Sequence, residues 1–207
     1  GTGAGEVYSA LGPTHHSTED LGGLRSLPDL IILCPASPLE VRKATIAAYE
    51  YGGPVYLRLG TNKEPEIYKE DYTFEIGKGV TVKDGKDVTL IGTGSILKDI
   101  MDAAELLQKE GIQARVINIH TIKPIDRKII LKAIEETGKI ITVEDHNVIG
   151  GLGSAVAEII AESGNGVVFK CLGLQNFSKG YGTYQQVKEK NGIGIDAIKR
   201  EVKRFMA

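Results

Sequence analysis

An α/β fold of two α/β/α units, the second carrying a mostly parallel five-stranded sheet, is predicted for this 207-residue chain by three observations. Short continuous apolar runs, such as Asp29-Leu-Ile-Ile-Leu-Cys-Pro35, read as strands buried on both faces. Amphipathic stretches with a period near 3.6 residues lie between such runs. Strand and helix alternate at the spacing of parallel crossover units.

The elements follow in order. A short helical pattern begins near Ser17, before the first strand. Ser37 is placed to cap the next helix, with Pro38 at its first position and Glu40 completing a capping box. That helix runs to about Tyr51, where Gly52-Gly53 stops it, and Pro54–Leu59 is the following strand. Thr61 to Lys86 is polar and reads as a linker into a hairpin, Phe74–Val82 then Asp87–Ile91, turning at Lys83-Asp84-Gly85-Lys86. Gly92-Thr93-Gly94-Ser95 then feeds a helix with apolar positions at Ile96, Ile100, Ala103, Leu106 and Leu107. Strand Ala114–Ile119, helix Asp126–Thr137, strand Lys139–Val143, helix Gly151–Ala161, strand Gly166–Cys171 and a final helix Asp196–Phe205 complete the second unit. The expected division is 1–66, a linker at 67–86, and 87–207.

Composition narrows the function. A net charge of −2 carries no basic excess, which argues against nucleic-acid binding. No run approaches the ~18 apolar residues of a membrane span, and no signal-peptide pattern opens the chain. Cys34 and Cys171 lie in apolar runs and read as buried core thiols of a reducing compartment, so the expected location is the cytoplasm. Gly1 to Gly5 read as the middle of a protein, and a longer parent is expected.

Four histidines are available for chemistry: His15, His16, His120 and His146. His15-His16 lies in Gly12-Pro-Thr-His-His-Ser-Thr-Glu-Asp20, either a loop presenting imidazoles to a polar ligand or a solvated turn. No further metal ligands adjoin the pair, so no metal site is expected. Gly92-Thr-Gly94 and Gly150-Gly-Leu-Gly153 match neither a dinucleotide fingerprint nor a P-loop, and read better as tight turns and close packing. Glu144-Asp145-His146-Asn147 ends a strand; it either faces a ligand, caps the next helix or lines a subunit interface.

Taken together and in this order, the motifs resemble the transketolase family. Gly12-Pro-Thr-His15, Glu19 and Leu24-Arg25-Ser26-Leu27-Pro28 resemble its pyrimidine-binding domain, followed by Cys34-Pro-Ala36, Pro38-Leu-Glu40 and Pro54-Val-Tyr-Leu-Arg58. Ile122-Lys-Pro-Ile-Asp126, Val143-Glu-Asp-His146 and Gly150-Gly-Leu-Gly-Ser154 resemble its carboxyl-terminal domain. The resemblance implies residues 1–66 as the carboxyl-terminal portion of a pyrimidine-binding domain and 87–207 as a transketolase C-terminal domain.

It also implies an activity: transfer of a two-carbon ketol unit between phosphorylated sugars in pentose phosphate metabolism, with thiamine diphosphate and Mg2+. His15 inherits a catalytic and cofactor-facing role, Glu19 loop support, and His16 a place at the substrate. Many family members carry an aspartate where this chain has Leu11, and an arginine that grips the sugar phosphate near Thr61. Arg58 and Lys63 are therefore the candidate replacements. The family glutamate that activates the cofactor, and the diphosphate- and metal-binding domain, have no counterpart in this sequence. An N-terminal diphosphate-binding region or subunit is the expected partner, in a homodimer or heterotetramer. The alternatives are a deoxyxylulose-phosphate synthase, a 2-oxo acid dehydrogenase beta-subunit relative, or a non-catalytic assembly module.

Overall fold

A computed structural model describes residues 3–61, 64–68, 71–178 and 180–206. The first unit contains α1 (Asp20–Leu24), β1 (Ile31–Leu33), α2 (Pro38–Tyr51) and β2 (Val55–Leu57). The second runs β3 (Val80–Lys83), β4 (Val88–Gly92), α3 (Leu97–Lys109), β5 (Ala114–Asn118), β6 (Thr121–Lys123), α4 (Arg127–Thr137), β7 (Lys139–Asn147), α5 (Leu152–Ser163), β8 (Val168–Leu174), α6 (Tyr184–Lys190) and α7 (Ile195–Met206).

The large sheet has the order β3-β5-β4-β7-β8. β5, β4, β7 and β8 are parallel, while β3 joins β5 antiparallel. Alternation along the strands separates two apolar layers. Leu90, Val116 and Ile141 face α3 and α7 on one side. Ile91, Ile117 and Ile140 face α4 and α5 on the other, where Leu21 and Ile32 of the first unit join them. Among the described residues no helix is long and apolar enough to cross a membrane.

Three expectations change. No hairpin forms: β3 and β4 are not neighbours, because β5 inserts between them and pairs with both. The Lys83–Lys86 turn is local, and pairing at the sheet edge is a long-range choice that a turn does not control. Second, β6 leaves the second unit and pairs antiparallel with β1, so the small sheet is β2-β1-β6 and draws on both halves of the chain. Third, Cys34 is fully buried, its thiol pushed up to about 12 by burial, but Cys171 is only partly buried.

The capping box at α2 is half made. The Glu40 N–H donates to Ser37 Oγ at 3.4 Å, but the Glu40 carboxylate reaches past Ser37 to the N–H of Ala36 at 2.7 Å. Its other oxygen accepts from Tyr68, Tyr72 and Asn118 Nδ2. The polar connection is thereby strapped onto the fold, with Phe74 stacked on His120 at a centroid separation of 4.2 Å.

Candidate active site

Gly12 starts the His15 loop. Its φ of 79° and ψ of −173° suit glycine, and a Cβ there would lie 2.3 Å from the Tyr181 ring. A short 3-10 turn, Pro13–His15, follows and lifts His15 into solvent. Thr14 Oγ1 lies 3.0 Å from His15 Nδ1, so Nε2 has no partner among the described residues. Leu11 and Tyr181, 54% and 77% exposed, give the same edge an apolar surface. His16 is partly buried; both ring nitrogens lack a hydrogen-bond partner among the described residues, and burial lowers its pKa.

The loop is fastened at its base. Gly5 and Ser17 exchange backbone hydrogen bonds at 2.8 and 3.0 Å. The Glu6 N–H donates to both oxygens of Asp145, and the Tyr184 hydroxyl donates to Asp145 Oδ2 at 2.6 Å. Asp145 therefore fixes the segment before the histidines onto the end of β7.

Arg58 lies beneath this loop, facing inward. It is 5% exposed and donates to Asp20 (Nε to Oδ2, 2.8 Å), to the Ser17 carbonyl at 3.0 Å and to the Asp145 carbonyl at 3.0 Å. Nε and Nη2 of Arg58 are thus engaged by the protein, where a grip on a substrate phosphate was expected. Burial alone would raise the Asp20 pKa, but the charge and hydrogen bonds of Arg58, helped by the Tyr56 hydroxyl, outweigh it and lower the value. Because the folded value lies below the unfolded one, this pair stabilises the fold above the ordinary aspartate range. Its contribution disappears as pH falls through the depressed value.

Glu19 is exposed and accepts from the Thr18 hydroxyl at 2.5 Å, a local contact at the start of α1. Lys63 lies outside the described residues. His15, His16, Glu19 and Arg58 are thus gathered around one loop, with the His15 imidazole exposed, the His16 ring nitrogens buried and Arg58 turned inward.

The tetrapeptide Glu144–Asn147 at the end of β7 divides its work. Glu144 caps α5, accepting from the N–H groups of Leu152 and Gly153 at 2.7 and 2.8 Å. His146 donates from Nδ1 to the Asn147 carbonyl at 2.6 Å and accepts at Nε2 from the Gly22 N–H at 3.3 Å. This fixes a neutral tautomer, and burial, then the Arg58 charge, lower its pKa. Burial pushes Glu144 up to about 7 from 4.5 despite its two backbone donors. At this group the folded state then binds more protons than the unfolded one between those values, so its contribution to stability falls as pH rises across that window. His16, His120 and His146, whose folded values are lowered by burial, act in the opposite sense, so the Glu144 contribution is read as a difference: denaturant midpoints of Glu144→Gln are expected to rise more, or fall less, with pH than those of wild type. A slope in the variant identical to that of wild type would reject Glu144 as a contributor.

Gly150-Gly-Leu-Gly153 is a packing motif. A Cβ on Gly150, whose φ is 79°, would lie 2.7 Å from the Gly22 Cα. Arg25 locks the contact by donating to the Gly150 carbonyl at 2.9 Å. Gly150→Ala is expected to cost about 1–3 kcal/mol, read by chemical denaturation. A neutral effect would mean that the two backbones are not in contact.

No group of three metal-ligating side chains occurs among the described residues. The exposed imidazole and apolar edge suit one face of an aromatic, polar cofactor. Sequence reasoning missed Asp145, Asp20 and Tyr184 as the loop's supports. Only the Asp145 position, at a strand's carboxyl end, gave a signal.

Residues 77–198 match the model of the transketolase C-terminal domain, and residues 2–65 that of the transketolase pyrimidine binding domain. The chain is 37% identical over 207 residues to a subunit of the apulose-4-phosphate transketolase of Phocaeicola vulgatus, covering 100% of this chain and 66% of that protein. It is 34% identical over 198 residues to the 1-deoxy-D-xylulose-5-phosphate synthase of Heliobacterium modesticaldum, covering 95% of this chain and 31% of that protein. A solved structure described as a split gene transketolase, inactive beta4 tetramer, superposes with a TM-score of 0.90 at 37% identity, covering 99% of this chain and 65% of that one. The chain thus spans just under two thirds of the subunit-type relatives it matches.

Proposed function

We propose, from the premise that this chain belongs to the transketolase family, that it is the C-terminal part of a thiamine-diphosphate-dependent enzyme transferring a two-carbon ketol unit between phosphorylated sugars. The observation that carries this reading is the Gly12–His16 loop, which holds an exposed imidazole on a base secured by Asp145 and Arg58. The matches to one subunit of a transketolase and to a split-gene transketolase support the same reading, with an N-terminal diphosphate-binding region or subunit as partner in a homodimer or heterotetramer. The end of the matched pyrimidine binding domain at residue 65 supports a first unit of 1–66, while the matched C-terminal domain begins at 77, inside the expected 67–86 connection.

Thiamine diphosphate, held with Mg2+ mainly by the partner region, supplies the nucleophilic carbon and electron sink. The residues of this chain position groups and move protons. His15, with Nδ1 beside the Thr14 hydroxyl, offers Nε2 to a substrate oxygen, taking or giving a proton as hydroxyl and alkoxide interchange. His16 lies next to it as a second imidazole assigned to the substrate, and Glu19 supports the loop's exit into α1. Leu11 and Tyr181 exclude water from the edge that meets the partner. The pathway setting is pentose phosphate metabolism in the cytoplasm.

Calorimetric titration of thiamine diphosphate with Mg2+ tests this, first with the chain alone and then with its diphosphate-binding partner. Binding and ketol transfer only in the mixture are expected. Tight binding to the isolated chain rejects the division of the site. Turnover of pyruvate with an aldose, in place of a ketose donor, moves the protein to the synthase branch.

A further inference from the structure

Glu6 is a fully buried carboxylate that the mechanism above does not use. It follows Gly5, whose backbone pairs with Ser17 and closes the base of the histidine loop. The second unit holds this one residue twice. Its N–H donates to Asp145 Oδ1 at 3.1 Å and to Oδ2 at 2.9 Å, at the end of β7. Its carboxylate Oε1 accepts from Asn191 Nδ2 at 2.6 Å, one residue past α6, and the same amide donates to the Ser178 hydroxyl at 3.1 Å.

The Asp145 side is braced from behind. Tyr184, the first residue of α6, donates from its hydroxyl to Asp145 Oδ2 at 2.6 Å. The Lys188 ammonium, one helical turn on, lies 4.2 Å from the centre of the Tyr184 ring. Lys188 is itself 5% exposed and paired with Asp99 of α3. A capping box between Thr183 and Gln186 sets the start of α6. A connected run of side chains thus reaches from α3 through α6 to Glu6.

Burying charged groups in this way is often no better for stability than apolar packing of the same volume. Directional bonds add position instead. Apolar contacts tolerate small slides, whereas a residue bonded through both main chain and side chain is fixed in place and in orientation. Proton transfer by His15 needs that, since Nε2 must come within about 2.6–3.2 Å of a substrate oxygen. A misplacement of about 1 Å can cost about 10²-fold in rate.

We propose that Glu6 is a positioning residue for ketol transfer. Held between Asn191 and Asp145, it sets where the loop presents the His15 imidazole, so α6 of the second unit acts on the reaction through Glu6. This deepens the ketol-transfer reading and rests on it.

The test uses the chain assembled with its diphosphate-binding partner. Asn191→Leu removes the donor at nearly constant volume. It is expected to lower kcat about 10–10²-fold and to leave KM within about threefold. Glu6→Ala should show the same split, and Glu6→Gln, which keeps an acceptor for Asn191, should recover most of the loss. The His15→Ala background is the deciding comparison: an effect that acts through His15 should shrink there to less than about twofold. Tyr184→Phe removes a single hydroxyl and repeats the comparison if Asn191→Leu does not assemble. No loss of kcat, an equal loss in both backgrounds, or a raised KM alone overturns the proposal.

A second readout needs no turnover. Amide hydrogen exchange in the same assembly should quicken at Gly5 and Ser17 in Asn191→Leu and stay unchanged in β4. Faster exchange at those two amides in an assembly that transfers no ketol unit would reject the activity and keep the Glu6 tether. Exchange unchanged at both would reject the tether whatever the activity.

Discussion

Replacing His15 with alanine is expected to lower ketol transfer by the assembled enzyme about 10²–10⁴-fold, the range for removing a positioned proton-transfer group. The loss should fall mainly on kcat, since the imidazole is assigned to proton movement. The fold and the assembly should survive. His15 is exposed and its side-chain contact is with Thr14 Oγ1, so neither layer of the core loses anything. Sedimentation and thermal melting would establish that the variant assembles, and single-turnover kinetics would place the defect. An assembled variant with near wild-type kcat would remove His15 from the mechanism and favour a purely architectural role for this chain.

Arg58→Ala is expected to act in the opposite way. Removing the guanidinium strands Asp20 at 9% side-chain exposure and leaves the carbonyls of Ser17 and Asp145 without their donor. Breaking a buried pair from one side costs about 3–5 kcal/mol. For a chain of this length that lowers the melting temperature by roughly 10 °C. The double variant Asp20→Ala, Arg58→Ala should recover part of the loss, because no unpaired charge is then buried. Substrate KM, measured well below the melting transition, should change little. A variant as stable as wild type but with a raised KM would show that Arg58 reaches the substrate after all.

These two positions also show how far residue patterns reach. His15 was legible because a Gly-Pro turn followed by imidazoles is a local arrangement, and Gly12 has the backbone conformation that such a turn needs. Arg58 was less legible, because its chemical type could be read and its direction could not. A guanidinium at a strand's carboxyl end serves equally as a ligand or as a buried tie, and the partner that decides, Asp20, is 38 residues away.

The sequence by itself determined the α/β class, the order of most elements and their approximate limits. These depend on short-range physics: side-chain periodicity, caps such as Ser37 and Asp126, and stops such as Gly52 and Gly138. Tertiary structure alone decided that β5 separates β3 from β4 and that β6 crosses to the first sheet. It also decided that Glu144 caps α5 while Asp145 holds the histidine loop. Such choices turn on which buried donors and acceptors find partners far along the chain, and on which strand edges meet. Their free energy resides in the contact between distant segments, so no local window of sequence contains it.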